Sequence, residues 1–219
     1  MTAGDLPALI RTELPCQAWR VIYIRYLCAA AVLLGTIVLV HNMGATLNPV
    51  PPYGIAGALF AVNVLYSLHL VRAAKKTGRA SPDAAGRSLM LQLGSDLFLL
   101  TFLLHFFGGV SNPLMVLYVL PILLSGFLLS GQATFVLTAL TAVLYGGMAL
   151  LEYRRVIPHV PVPGLFPSTA YRNEPYLLVV LVAFGLGISL TAVLSSMISG
   201  RLRLSISDTA ARIEEELTR

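Results

Sequence analysis

Long, unbroken apolar runs constrain this chain more than any other feature. They cover residues 21–41, 53–71, 88–107, 113–130, 133–152 and 176–199. A helix needs about 20 mostly apolar residues to cross a bilayer. In lipid every backbone N–H and C=O must be satisfied within the chain, which leaves helices or closed barrels. Barrel strands alternate apolar and polar residues, and these runs do not. The chain is 57% hydrophobic and 11% charged, whereas an ordinary soluble domain is about a quarter charged. The fold expected is an all-α membrane protein with six transmembrane helices, and its first partner is the lipid bilayer.

Charge sets the orientation. Arg11 and Arg20 precede the first run. Arg72, Lys75, Lys76, Arg79 and Arg87 crowd the second link, and Arg201 and Arg203 follow the sixth run. With six crossings all of these fall on one side, and an excess of Lys and Arg marks the cytoplasmic side. Arg154, Arg155 and Arg172, on the other side, are partly offset by Glu152 and Glu174. Both termini are therefore expected in the cytoplasm, with the chain in a bacterial inner membrane. Topology accounts for the net charge of +5, so no nucleic-acid partner is inferred. Asp5, Arg11 and Glu13 precede the first run, unlike a cleavable signal peptide. Two cysteines, Cys16 and Cys28, are too few for a disulfide framework or zinc cluster. No histidines show metal spacing, so no metal site is expected. The division expected is a cytoplasmic segment (1–20), a six-helix domain (21–199) and a cytoplasmic signalling helix (200–219).

The break between the third and fourth runs, "HFFGGVSNPL", is the richest local signal. Asn112 is a favoured helix N-cap, and Pro113 suits the first helical position. Gly108 and Gly109 allow a tight reversal. This explains a turn without any ligand. The same atoms also offer a site: if the Asn112 oxygen caps the fourth helix, its amide N–H groups remain to donate. The helix start adds free backbone N–H groups and a positive dipole end. His105 lies one turn before Gly109 and can exchange a proton. Phe106, Phe107 and Tyr118 can supply an apolar wall. A quinone head group has matching chemistry.

Asp96 is the one acidic residue deep in a run, and an intramembrane carboxylate is a functional candidate by default. Arg25 enters from the same side, and Asn63 lies at a similar depth. The three read either as a protonatable switch or as a buried polar set holding helices together. In the sixth run Ala183, Gly187, Thr191, Ser195 and Ser199 recur every four residues. Such a stripe lets helices approach closely, within one bundle or across a homodimer seam. Beyond Gly200, Ile206, Ala210, Ile213 and Leu217 follow heptad spacing. That implies an amphipathic or coiled-coil helix leaving the membrane. Glu214, Glu215 and Glu216 argue against its lying on an anionic leaflet.

The heptapeptide Gly108-Gly109-Val110-Ser111-Asn112-Pro113-Leu114 resembles a motif of redox-responsive sensor histidine kinases of the RegB/PrrB type. There it reads Gly-Gly-Leu-Asn-Asn-Pro-Phe between spans three and four. Gly108, Gly109, Asn112 and Pro113 match. Six spans, cytoplasmic termini and a helix leaving span six are also similar. The resemblance implies ubiquinone binding at the turn, through the matching Gly108, Gly109, Asn112 and Pro113, to which the reading of the residues adds His105, Phe107 and Tyr118. It further implies a cytoplasmic kinase output and a response regulator as partners. None of the four histidines follows Gly200 and no nucleotide loop is present, so the expectation is a sensory input domain without its kinase core. The alternative is a substrate-binding membrane subunit of an energy-coupling transporter, which would need a polar pocket in the outer halves of the spans. A lipid-modifying enzyme would need clustered acids or histidines at one depth.

Overall fold

A computed structural model describes residues 22–38, 41, 48–77, 82–162, 165 and 169–218, without some side chains near the ends of the second, third and sixth helices. Residues 1–20, Trp19 and Cys16 included, lie outside it. The helices are α1 (Ile22–Ile37), α2 (Val50–Thr77), α3 (Pro82–Phe106), α4 (Val119–Leu128), α5 (Gly131–Tyr153) and α6 (Glu174–Thr218). Among the described residues there is no strand. Among the described residues, four helices contain windows long and apolar enough to cross a membrane: 50–69, 86–106, 131–153 and 174–202. Two apolar segments are shorter, Ile22–Ile37 and Pro113–Leu128.

The fourth crossing shows how a short segment can still span. Pro113–Tyr118 is a 3-10 helix that runs into α4. A 3-10 helix rises about 2.0 Å per residue against 1.5 Å in an α-helix, so the segment reaches about 27 Å. That nearly matches a hydrocarbon core of about 30 Å.

Helix α3 is the hinge of the packing. One face, with Leu89, Leu93, Leu97 and Leu104, joins a core shared with α4, α5 and α6. Its other face, through Leu103, packs with Ala29 of α1 and Ile55 and Leu59 of α2. In α5 the buried residues Thr134, Thr138, Thr141, Tyr145, Met148 and Glu152 recur every three or four positions. Hydroxyls on this face bond back to the preceding turn: Thr138 to the Thr134 carbonyl and Thr141 to that of Leu137, both at 2.8 Å. This satisfies them where lipid supplies no water. Helix α6 turns Leu177, Phe184, Ile188 and Ser195 inward. Its opposite face, with Leu178, Val182, Leu186, Leu190 and Val193, is exposed, as suits a surface facing acyl chains.

Helices α4 and α6 approach closely at one point, where a Cβ on Gly126 would overlap the Ser195 side chain. The four-residue stripe of α6 does not keep to one face. Ser195 and Ser199 are buried, whereas Ala183 and Gly187 are exposed. A period of four gains roughly 40° per step on a 3.6-residue helix, so the stripe winds from the outer face into the bundle. Helix α6 continues unbroken past Leu202 to Thr218, so the division expected at Gly200 is not a break in the helix. The side chains of Ile206, Ala210, Ile213 and Leu217 lie outside the described residues.

Candidate functional site

Two polar clusters stand out, one capping an end of the bundle and one inside it. The cap is assembled from three chain segments. Helix α3 ends at Phe106, and Gly108 (φ +103°) and Gly109 (φ +54°) reverse the chain in left-handed conformations that suit glycine. Asn112 is buried and closes the turn. Its side-chain oxygen accepts from Leu114 N at 2.8 Å, and its amide donates to the Phe107 carbonyl at 2.8 Å. The capping role read from the sequence is thus present, but the amide expected to face a ligand is engaged within the turn.

Above this turn sits Glu152, at the end of the buried stripe of α5 and 0% exposed. One carboxylate oxygen meets His105 Nδ1 at 2.7 Å, and the other meets His159 Nδ1 at 2.8 Å. Gly109 is what lets the carboxylate lie against the turn, since a Cβ there would collide with it. His159 arrives by a backbone reversal at the end of α5. Arg155 takes a left-handed φ of +59°. Arg155 N bonds to the Glu152 carbonyl at 3.0 Å and Val156 N to that of Leu151 at 2.9 Å. This is a Schellman cap, with arginine where glycine is usual.

From His159 the cluster continues to α6. The imidazole stacks on Tyr171, centroids 4.1 Å apart, and the Tyr171 hydroxyl accepts from Arg172 Nε at 2.8 Å. Both lie in the short 3-10 turn Ala170–Arg172 just before α6. Asn173 then accepts from Tyr176 N at 3.2 Å, and Tyr153 donates to Glu174 at 3.3 Å. The loop also covers α3, with Val162 buried beside Phe107. Pro163 and Pro167 lie outside the described residues.

The other residues of the turn are spread rather than convergent. Pro113 opens the 3-10 segment and is exposed. Phe106 lies edge-on to His105. Tyr118 is fully buried and its hydroxyl is shared with Thr101 at 2.6 Å. Its ring packs edge-on to Tyr145 and Phe184, which makes it a core residue joining α4, α5 and α6.

The second cluster lies inside the bundle. Asp96 sits midway along the apolar window Gly86–Phe106, about 15 Å from either end. Arg25 Nη2 meets Asp96 at 2.9 Å and donates to Ser95 Oγ at 3.2 Å. The guanidinium also lies over the Tyr66 ring at 5.1 Å. Asn63 is fully buried, but neither side-chain atom has a hydrogen-bond partner among the described residues. The structure therefore joins two of the three expected members.

Sequence reasoning counted Glu152 as a flanking charge and gave His159 no role in a site. Glu152 could have been found from its stripe, since residues 134, 138, 141, 145, 148 and 152 share one face of α5. No local signal announces His105 or His159 as its partners.

The PilS-like transmembrane domain, a six-span domain, matches residues 12–208. The chain belongs to that family. The PilS-like domain is a membrane domain of sensor kinases, which fits six apolar helical segments and a long emerging helix. No curated protein and no solved structure matches the chain. The match supports the sensor-kinase membrane domain expected from the sequence, while the RegB/PrrB-type specificity suggested by the heptapeptide, and the quinone with it, stay proposals.

Proposed function

We propose that this PilS-like domain is the input half of a sensor histidine kinase, with its cap outside the cytoplasm and its basic end within. The cap reads a cue and α6 carries the result across the membrane to a kinase output. The observation carrying this reading is the bridging carboxylate of Glu152. It ties the end of α3 to the loop that leads, through the stack of His159 on Tyr171, into the first turn of α6. Helix α6 then runs for 45 residues without a break, about 68 Å, enough to cross the bilayer and project beyond it. A ligand or pH change that pulled either histidine from Glu152 would alter the seating of α6. It would shift output only by its differential affinity for the two packings.

The test joins the chain to the catalytic core of a histidine kinase and measures autophosphorylation in membrane vesicles. Glu152→Gln and His159→Asn change basal output, whereas Leu186→Ala on the lipid-facing side of α6 does not. Equal output from all three removes the proposed route. The narrower proposal, ubiquinone at the turn, requires a carbonyl to displace bonds that Asn112 and His105 already make. It fails if Asn112→Ala binds ubiquinone as tightly as the parent chain.

A further inference from the structure

A cleft of about 160 Å³ opens between α1 and α4, with α3 as its floor. It is separate from the cap. Its walls are apolar, among them Leu99, Leu103, Leu120 and Leu124, and its polar end is formed by Arg25 and Asp96. Leu120 is 52% exposed at its edge, so the mouth faces sideways into the bilayer rather than toward either aqueous side.

The polar end is incomplete. Arg25 is 4% exposed, and its Nη2 serves both Asp96 and Ser95. Its Nε and Nη1 are buried with no acceptor among the described residues. At mid-bilayer depth no bulk water is at hand, and an orphaned N–H is costly there. An acceptor oxygen placed in the cleft would relieve that cost.

The surroundings narrow what can carry this oxygen. Arg25 and Asp96 already neutralise each other, so a second carboxylate would be repelled by Asp96. Phosphates and ester carbonyls of bilayer lipids are held near the interface, about 15 Å from Asp96 along the helix. An apolar cavity of about 150 Å³ accepts a benzene ring, so the space matches one small ring and not a helix. We propose that this cleft binds an uncharged, hydrocarbon-soluble carbonyl compound of about single-ring size, its oxygen accepting from the free N–H groups of Arg25. This site goes beyond the function proposed for the cap and does not depend on it.

A matched pair of probes tests it. Acetophenone and α-methylstyrene have nearly the same shape, and only the first carries a carbonyl. Each is titrated against the full chain in nanodiscs, with empty nanodiscs correcting for partition. Acetophenone is expected to bind roughly tenfold more tightly, as for a hydrogen bond to a charged donor. Its C=O stretch should move to lower wavenumber on binding. Arg25→Met/Asp96→Leu removes both the preference and the spectral shift. Leu120→Trp, at the lipid-facing mouth, leaves the fold intact and weakens both probes. Equal binding of the two probes to the native chain overturns the proposal, because water or a partner side chain then completes Arg25. A preference surviving in Arg25→Met/Asp96→Leu, or undiminished binding of both probes to Leu120→Trp, overturns it too, by placing the carbonyl elsewhere.

Discussion

The two polar clusters solve the same problem in opposite ways. At the cap, Glu152 is wholly buried yet both its oxygens are engaged, and Asn112 uses both ends of its amide. Inside the bundle, among the described residues, Arg25 has one engaged nitrogen and two without an acceptor, and the Asn63 side chain has no partner. Buried polar groups are nearly always paired, and a fully satisfied network rigidifies what it joins. The cap thus behaves as a latch between α3, α5 and α6, whereas the interior cluster is left incomplete. A latch transmits by opening, and an incomplete site by being filled.

The largest effect should come from leaving a charge alone inside the bundle. Asp96→Leu strands Arg25 and is expected to cost about 3–5 kcal/mol, while Arg25→Met/Asp96→Leu recovers most of it. Thermal denaturation in nanodiscs measures both. If the double variant is no better than the single one, the pair is not the coupled unit described here.

At the cap, Glu152→Leu removes the acceptor for two imidazoles and should cost about 2–3 kcal/mol. Glu152→Gln keeps the shape and one acceptor oxygen, and should cost less. A cap as loosely held as the interior would show no difference between the two. Gly109→Ala tests the latch from the other side. Left-handed backbone costs a non-glycine residue about 1–2 kcal/mol, and collision with Glu152 adds to it. In a Glu152→Ala background only the backbone part should remain. A double-mutant cycle on thermal stability therefore gives a non-zero coupling for this pair, and strict additivity would mean that the carboxylate does not rest on the turn.

The fold was legible in the sequence because each apolar run announces its own helix. The Gly108-Gly109…Asn112-Pro113 turn was legible because its signals are local, and so was the reach of Arg25 to Asp96, since both lie in apolar runs where charge is conspicuous. The latch was not. Glu152 and His105 are 47 positions apart, and His159 returns only because Arg155 adopts a conformation that its identity does not suggest. Nor did composition show that the fourth span begins as a 3-10 helix. The stripe of α6 was read as one face because its four-residue spacing looks regular in sequence, while on a helix it winds.

The smallest expected effect has the opposite sign from the rest, and it separates the two regions most sharply. Asn63 is buried on α2, and its amide has no partner among the described residues. Removing a polar group that has no partner loses no hydrogen bond and relieves its desolvation. Asn63→Leu, close in size, should therefore leave stability unchanged or raise it by up to about 1 kcal/mol. The corresponding change at the cap, Asn112→Leu, removes the N-cap and the bond to the Phe107 carbonyl and should lower stability by about 1–2 kcal/mol. Two asparagines, both buried, thus respond in opposite directions, and thermal midpoints of the two variants decide it. A destabilised Asn63→Leu would mean that something holds this amide in the membrane, and the contrast between a complete latch and an incomplete interior would then end at Arg25.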